Sequence, residues 1–260
     1  MCICLVDDVQ PERVCIYINY LRQIRMNDHD PQFDPESYEF NHSRYEGRTL
    51  HELIYRARRN YRELTKLINR LFEHHSRLLV VRIDLRYRKD AADVIPLEMV
   101  QMHRDKLLLD RRYYPDVFDG LEGYAWGLER GEQEGGLHFH LLAIFHGASR
   151  RDDIGIGLDI RDLWSEITEG YGECYISNFD KKKLAREGRL GIGMIHRDDE
   201  QLRINLVERV AAYITKKCST FDAPSGRTES GEFRTFGKSR MPEPIDTSVP
   251  RRGRPPTRRI

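Results

Sequence analysis

The chain lacks any apolar run near the roughly 18 residues that a membrane-spanning helix requires. Its first residues, Met1-Cys-Ile-Cys-Leu-Val-Asp-Asp, carry no basic lead and meet acids at once, so no secretory leader is expected. Cysteine is scarce: five residues, at 2, 4, 15, 174 and 218, an odd number with no C-x-x-C pair. That pattern speaks against a disulfide framework and a cysteine metal site, and it implies a reducing, cytoplasmic setting without membrane partners. A dominant charge of either sign is missing too, since the formal net charge is +1. Convincing internal repeats are also absent.

The charge that is present is unevenly placed. Between residues 216 and 260, eleven Lys/Arg stand against five Asp/Glu, an excess that favours contact with a polyanion. With 260 residues, 39% of them hydrophobic, the chain is long enough for one sizeable core.

Periodicity gives the organisation. An apolar stretch at Val14–Ile24 is compatible with a helix, and a polar segment from Asn27 to Gly47 reads as loop. Thr49 to Ser76 reads as a long helix, with Leu50, Leu53, Ile54, Ala57, Leu64, Leu67, Ile68 and Leu71 at helical spacing and a Thr49/Glu52 capping box. Arg77–Arg88 alternates as a strand. Pro96–Tyr113 looks helical. Gly123–Arg130 and Leu137–Phe145, separated by a glycine-rich connection, read as a β-hairpin. Ile160–Ile167 is expected as helix, Gly170–Phe179 as strand and Asp199–Lys217 as helix. Beyond Cys218 the composition predicts loop to about Pro242 and a disordered tail from Glu243. The expected class is α+β, built on a central antiparallel sheet flanked by helices. The expected organisation is a helical region over 1–76, a main domain over 77–242 and a basic tail over 243–260.

The sharpest local feature is Leu137-His138-Phe139-His140-Leu141. Residues two apart on a strand share a face, so His138 and His140 project side by side while their neighbours pack beneath. Two imidazoles on a rigid strand make half of a metal site, although a plain structural role for such a pair is common. Glu129, across the hairpin, is the candidate third ligand; Glu132 and Glu134 compete from the turn. Two histidines and a carboxylate with open positions suit Mn²⁺ or Mg²⁺ on a substrate phosphate.

The second feature is Tyr213-Ile-Thr-Lys216-Lys217. Tyr213 and Lys216 share a helix face, and a nearby cation favours the phenolate of a tyrosine whose ordinary pKa is about 10. The same spacing also describes a core aromatic followed by a surface lysine. Arg82 and Asp84 share a strand face and read as an ion pair, with DNA contact by Arg82 as the alternative. The tail Pro250-Arg251-Arg252-Gly253-Arg254-Pro255 offers either an AT-hook-like segment, with Arg252 and Arg254 in a narrow minor groove, or a generic basic tail.

A His-hydrophobic-His strand followed by a helix with Tyr-x-x-Lys resembles the HUH endonuclease superfamily. The finer pattern is similar to single-tyrosine rolling-circle replication initiators of filamentous, inovirus-type phages. The matching pieces are Val80-Val-Arg82-Ile-Asp84-Leu85, Trp126-Gly-Leu-Glu129, Gly136-Leu-His138-Phe-His140-Leu-Leu, Tyr213-Ile-Thr-Lys216-Lys217 and Arg234-Thr-Phe-Gly237-Lys238-Ser239, spanning about Arg77 to Pro242. The resemblance implies an RRM-like antiparallel sheet, His138, His140 and Glu129 as metal ligands, Tyr213 as nucleophile and Lys216 beside it. It implies nicking and rejoining of single-stranded DNA at an origin through a 5′-phosphotyrosine bond. Single-stranded DNA and origin duplex are the partners implied, with a host helicase as a further one, and Lys217, Arg82, Arg252 and Arg254 are the expected DNA contacts. A second tyrosine one turn away is missing, since Arg209 and Lys217 hold those positions. A transposase or relaxase of the same superfamily uses the same chemistry, and a non-cutting DNA-binding regulator is the reading from another class.

Overall fold

The computed structural model describes residues 50–92, 95–130, 136–215, 227–228, 231–232 and 234–245. The expected helix at Val14–Ile24, the Thr49 cap, Glu132, Glu134, Lys216, Lys217, Arg252 and Arg254 all lie outside these residues.

The class is α+β, as expected from the sequence. Helix α1 (Leu50–His74) precedes strand β1 (Arg77–Tyr87). Short α2 (Lys89–Ala92), α3 (Leu97–Leu108) and α4 (Pro115–Phe118) lead to the hairpin of β2 (Leu121–Arg130) and β3 (Leu137–His146). Then come α5 (Asp153–Ile167), β4 (Gly172–Ile176), a 3₁₀ turn (Ser177–Asp180), α6 (Lys181–Arg186) and β5 (Gly193–His196). Helix α7 (Glu200–Asn205) runs into a π-helical stretch, Leu206–Ala211, and an α-helical turn over 212–215. The short β6 (Arg227–Thr228) and β7 (Gly231–Glu232) pair with each other, and β8 (Phe236–Lys238) joins the main sheet.

That sheet has six strands in the order β4-β1-β3-β2-β8, with β5 also on β1, and every pairing is antiparallel. Helices cover both faces. Leu79, Val81, Ile83 and Leu85 of β1 face Val100 and Leu107 of α3 and Ile160 and Trp164 of α5 in one core. Leu78 and Val80, with Leu142 and Ile144 of β3, pack against Leu64, Leu67 and Leu71 of α1 and Leu206, Val210 and Ile214 on the other side. Because α1 shares this second core, it belongs to the same packed body as the sheet.

Several expected boundaries shift for physical reasons. The Pro96–Tyr113 helix ends at Leu108 and continues only as a 3₁₀ turn over Arg111–Tyr113. Helix α5 starts earlier than Ile160, capped by Asp152, whose carboxylate accepts from the Gly155 amide at 2.8 Å. Its first turns carry glycine because the helix crosses β4 closely: a Cβ at Gly157 would meet Ile176 at 2.8 Å. The strand expected over Gly170–Phe179 stops at Ile176, and the region expected as loop to Pro242 contains β8.

Strand β1 has two partners along one edge, β5 over Arg77–Val80 and β4 over Ile83–Tyr87. The gap between them is filled by one side chain. Asn178 accepts from the Arg82 amide at 3.0 Å and donates to the Val80 carbonyl at 2.9 Å and to Asp153 at 2.6 Å. Asp153 in turn receives Lys181 at 2.7 Å. Asn178→Ala is expected to leave the Arg82 amide and the Val80 carbonyl without this partner, take one bond from Asp153 and cost about 3 kcal/mol, read by urea unfolding. A cost under about 0.5 kcal/mol would mean that water replaces the carboxamide.

Candidate metal centre

The second face of the sheet changes character along its strands. At one end it is apolar, with Leu78, Val80, Leu142 and Ile144. At the other, the same alternation presents Arg82 and Asp84 from β1, His140 and His138 from β3, and Glu129 from β2. Register brings these together: Glu129 stands opposite His138, and Asp84 opposite His140. Direct cross-strand neighbours in an antiparallel pair are close enough for their side chains to bond.

Glu129 Oε1 lies 2.6 Å from His138 Nε2 and 3.0 Å from His140 Nε2. One ligand atom from each of Glu129, His138 and His140 falls within 4.8 Å of the others, so the three form a group able to hold a metal ion. On the far side of the ring, His140 Nδ1 hydrogen-bonds Asp84 Oδ1 at 2.7 Å. Anchoring one imidazole nitrogen on a carboxylate leaves the other aimed and more basic, as metal-ligating histidines require. His140 Nε2 is buried 3.0 Å from Glu129 Oε1, with no other hydrogen-bond partner among the described residues. A proton or a cation on that nitrogen satisfies both groups.

Charge follows from this packing. Burial opposes ionisation of Glu129, but the hydrogen bonds from His138 and His140 outweigh it and hold the carboxyl well below its usual range. Asp84 is likewise lowered: burial works against it, and the bond from His140 and the Arg82 charge prevail. Burial favours neutral His140, yet its bonds to Asp84 and Glu129 raise its pKa above 6.5. The proton on His140 therefore contributes stability to the metal-free fold below the ordinary value, and that contribution is lost as pH rises through the raised one. A metal ion needs the neutral ring and competes with this proton. Thermal stabilisation by Mn²⁺ is expected to grow between about pH 6 and about pH 8, with affinity changing up to tenfold per pH unit. Stabilisation that is flat over that range would count against His140 as a ligand.

Tyr213 reaches the same place from the helix after the π stretch. Its ring lies 5.0 Å from that of His140, and the Arg82 guanidinium sits 4.4 Å over it. Arg82 also reaches Asp84 at 3.5 Å, so the ion pair expected from the sequence is present with the aromatic contact added. The phenol is not eased toward ionisation in the metal-free protein. Burial, then the charge of Glu129, raise its pKa, against the opposing charge of Arg82.

The structure thus brings together Glu129, His138, His140, Tyr213 and Arg82. The sequence reading missed the bond from Asp84 to His140 and the plug formed by Asn178. Asp84 was visible on the right strand face, but its partner depended on the register of β1 against β3.

No protein-family model matches the chain, no curated protein is significantly similar to it, and no solved structure matches it. Among the described residues no helix is long and apolar enough to cross a membrane.

Proposed function

We propose that the chain is an HUH-type endonuclease that nicks and rejoins single-stranded DNA, in the manner of single-tyrosine rolling-circle replication initiators. One observation carries the reading. A tyrosine far along the chain meets His140 of a His-x-His pair, ring centres 5.0 Å apart, at a group of Glu129, His138 and His140 able to hold a metal ion. Neither half is specific alone; their meeting in space is what supports the proposal.

Glu129, His138 and His140 would hold the ion, and two imidazoles with one carboxylate suit Mn²⁺ or Mg²⁺. Such an ion, when bound, polarises a phosphodiester oxygen and offsets its charge. Tyr213 supplies the nucleophile: its Oη–P bond forms as the P–O3′ bond breaks, and the proton lost by the phenol is matched by one taken up at the departing 3′ oxygen. The 5′ phosphate stays on Tyr213, so a later 3′ hydroxyl can reverse the exchange without another energy source. Arg82, between Asp84 and the Tyr213 ring, lowers the cost of negative charge at the phenol and at the phosphate. Lys216 and Lys217 are assigned to the same role from the resemblance.

The test is covalent capture. The full chain is mixed with Mn²⁺ and a randomised single-stranded oligonucleotide library, denatured in detergent and digested for mass spectrometry. The expected product is a 5′-phosphotyrosine at Tyr213. Attachment at another residue, or none across the library, would remove the proposal, and the second outcome would favour a non-cutting DNA-binding protein.

A further inference from the structure

We infer that Tyr175 and Phe179 form a stacking platform for the bases of single-stranded DNA next to the metal centre, with Lys182 and Lys183 taking the phosphates. This rests on the reading of the site as one that acts on single-stranded DNA.

The placement follows from register. Tyr175 stands opposite Asp84 across β4 and β1, and Asp84 stands opposite His140 across β1 and β3. The three lie in one row of the sheet, and directly opposed residues project from the same face. With strands about 4.8 Å apart, Tyr175 is about 10 Å from His140. Strand β4 ends the row, so nothing in the sheet lies beyond it.

Both rings are open to solvent: Tyr175 is 44% exposed and Phe179 60%. Single exposed aromatics are ordinary, but here two lie four residues apart, and Tyr175 stands in the row that leads to the metal centre. The Tyr175 hydroxyl is tied to the Asp180 carboxylate, which fixes the ring. Phe179 follows Asn178, which is 1% exposed and locked to Arg82, Val80 and Asp153. A ring tied as that of Tyr175 is, or carried on backbone anchored as that beside Asn178 is, loses less freedom when a base stacks on it.

Charge on this surface is arranged to suit phosphate. Its acids are engaged locally: Glu173 with Arg86, Asp180 with Tyr175, Asp153 with Lys181 and Glu187 with Arg189. Helix α6 then exposes Lys182, Lys183 and Arg186. Aromatic rings beside a positive rail are the recognition chemistry of single strands, because every base offers a π face whatever its sequence.

The experiment compares oligothymidylate with an abasic strand of equal length and charge. Both are fluorescein-labelled and read by anisotropy on the full chain in EDTA, so binding does not depend on cutting. Wild type is expected to prefer the base-bearing strand by at least about tenfold. Tyr175→Ala and Phe179→Ala should each lower that affinity about tenfold while leaving the abasic strand within about twofold. Tyr175→Phe keeps the ring but frees it from Asp180, so it should lose less affinity than Tyr175→Ala. Replacing Lys182 and Lys183 together by alanine should weaken both strands and reduce the slope of log K against log salt by about 1.4. Equal wild-type affinity for the two strands, or alanine variants that lose both equally or neither, overturns the platform. Covalent capture is scored separately: a base preference without an adduct overturns the nicking reading and leaves the platform, and an adduct without a base preference does the reverse.

Discussion

Tyr213→Phe is expected to abolish covalent attachment of DNA, a loss of about 10³-fold or more, while Mn²⁺ affinity stays within about twofold. The substitution removes one oxygen and keeps the ring. The contact with His140 at 5.0 Å and the Arg82 guanidinium at 4.4 Å both involve the ring, which stays in place, and only the hydrogen bond of Arg82 to the hydroxyl is lost. Loss of the adduct with preserved metal binding would isolate the hydroxyl as the reacting group. An adduct that persists in the variant would show that another residue attacks. The raised pKa of the phenol sharpens the expectation. Glu129 is the second cause of that rise, so a cation that shares Glu129 counters it, and wild-type chemistry without divalent metal should be close to the variant's.

His140→Ala should eliminate Mn²⁺ binding by titration calorimetry and with it all metal-dependent stabilisation. It removes a nitrogen of the proposed ligand set and also deprives Asp84 and Glu129 of a shared partner. Asp84→Ala gives the graded comparison. It touches no ligand atom, yet it frees the His140 ring to turn, and a loss of about 10–100-fold in metal affinity is expected. Unchanged affinity in Asp84→Ala would reduce Asp84 to a counter-ion for Arg82. Binding that survives in His140→Ala would show that the ion sits elsewhere.

How far the sequence reached depended on the range of each signal. Strand β1, the hairpin and α1 were legible because their apolar periods are long and local. The pairing of Glu129 with His138 followed from the same hairpin. Strands β5 and β8 were not legible, since four and three residues carry too little alternation to register. The π stretch was hidden too. Its buried residues come in pairs, 205/206, 210/211 and 214/215, and the first spacing is five, which the helical period does not anticipate. Asn178 fell in a stretch whose alternation looked like more strand, and only the gap between β5 and β4 shows what its carboxamide replaces.

The two halves of the centre hang from elements with different hold. Glu129, His138, His140 and Asp84 sit on strands bonded on both sides, whereas Tyr213 follows a π stretch that interrupts the regular α-helical ladder. In native-state hydrogen exchange, the amides of β1 and β3 should therefore exchange through global opening, and those around Tyr213 through a smaller local one. On the proposed reading the nucleophile would then be withdrawn while the ligand set stays assembled, and grip on a phosphate and readiness to cut it would become separate properties of one fold.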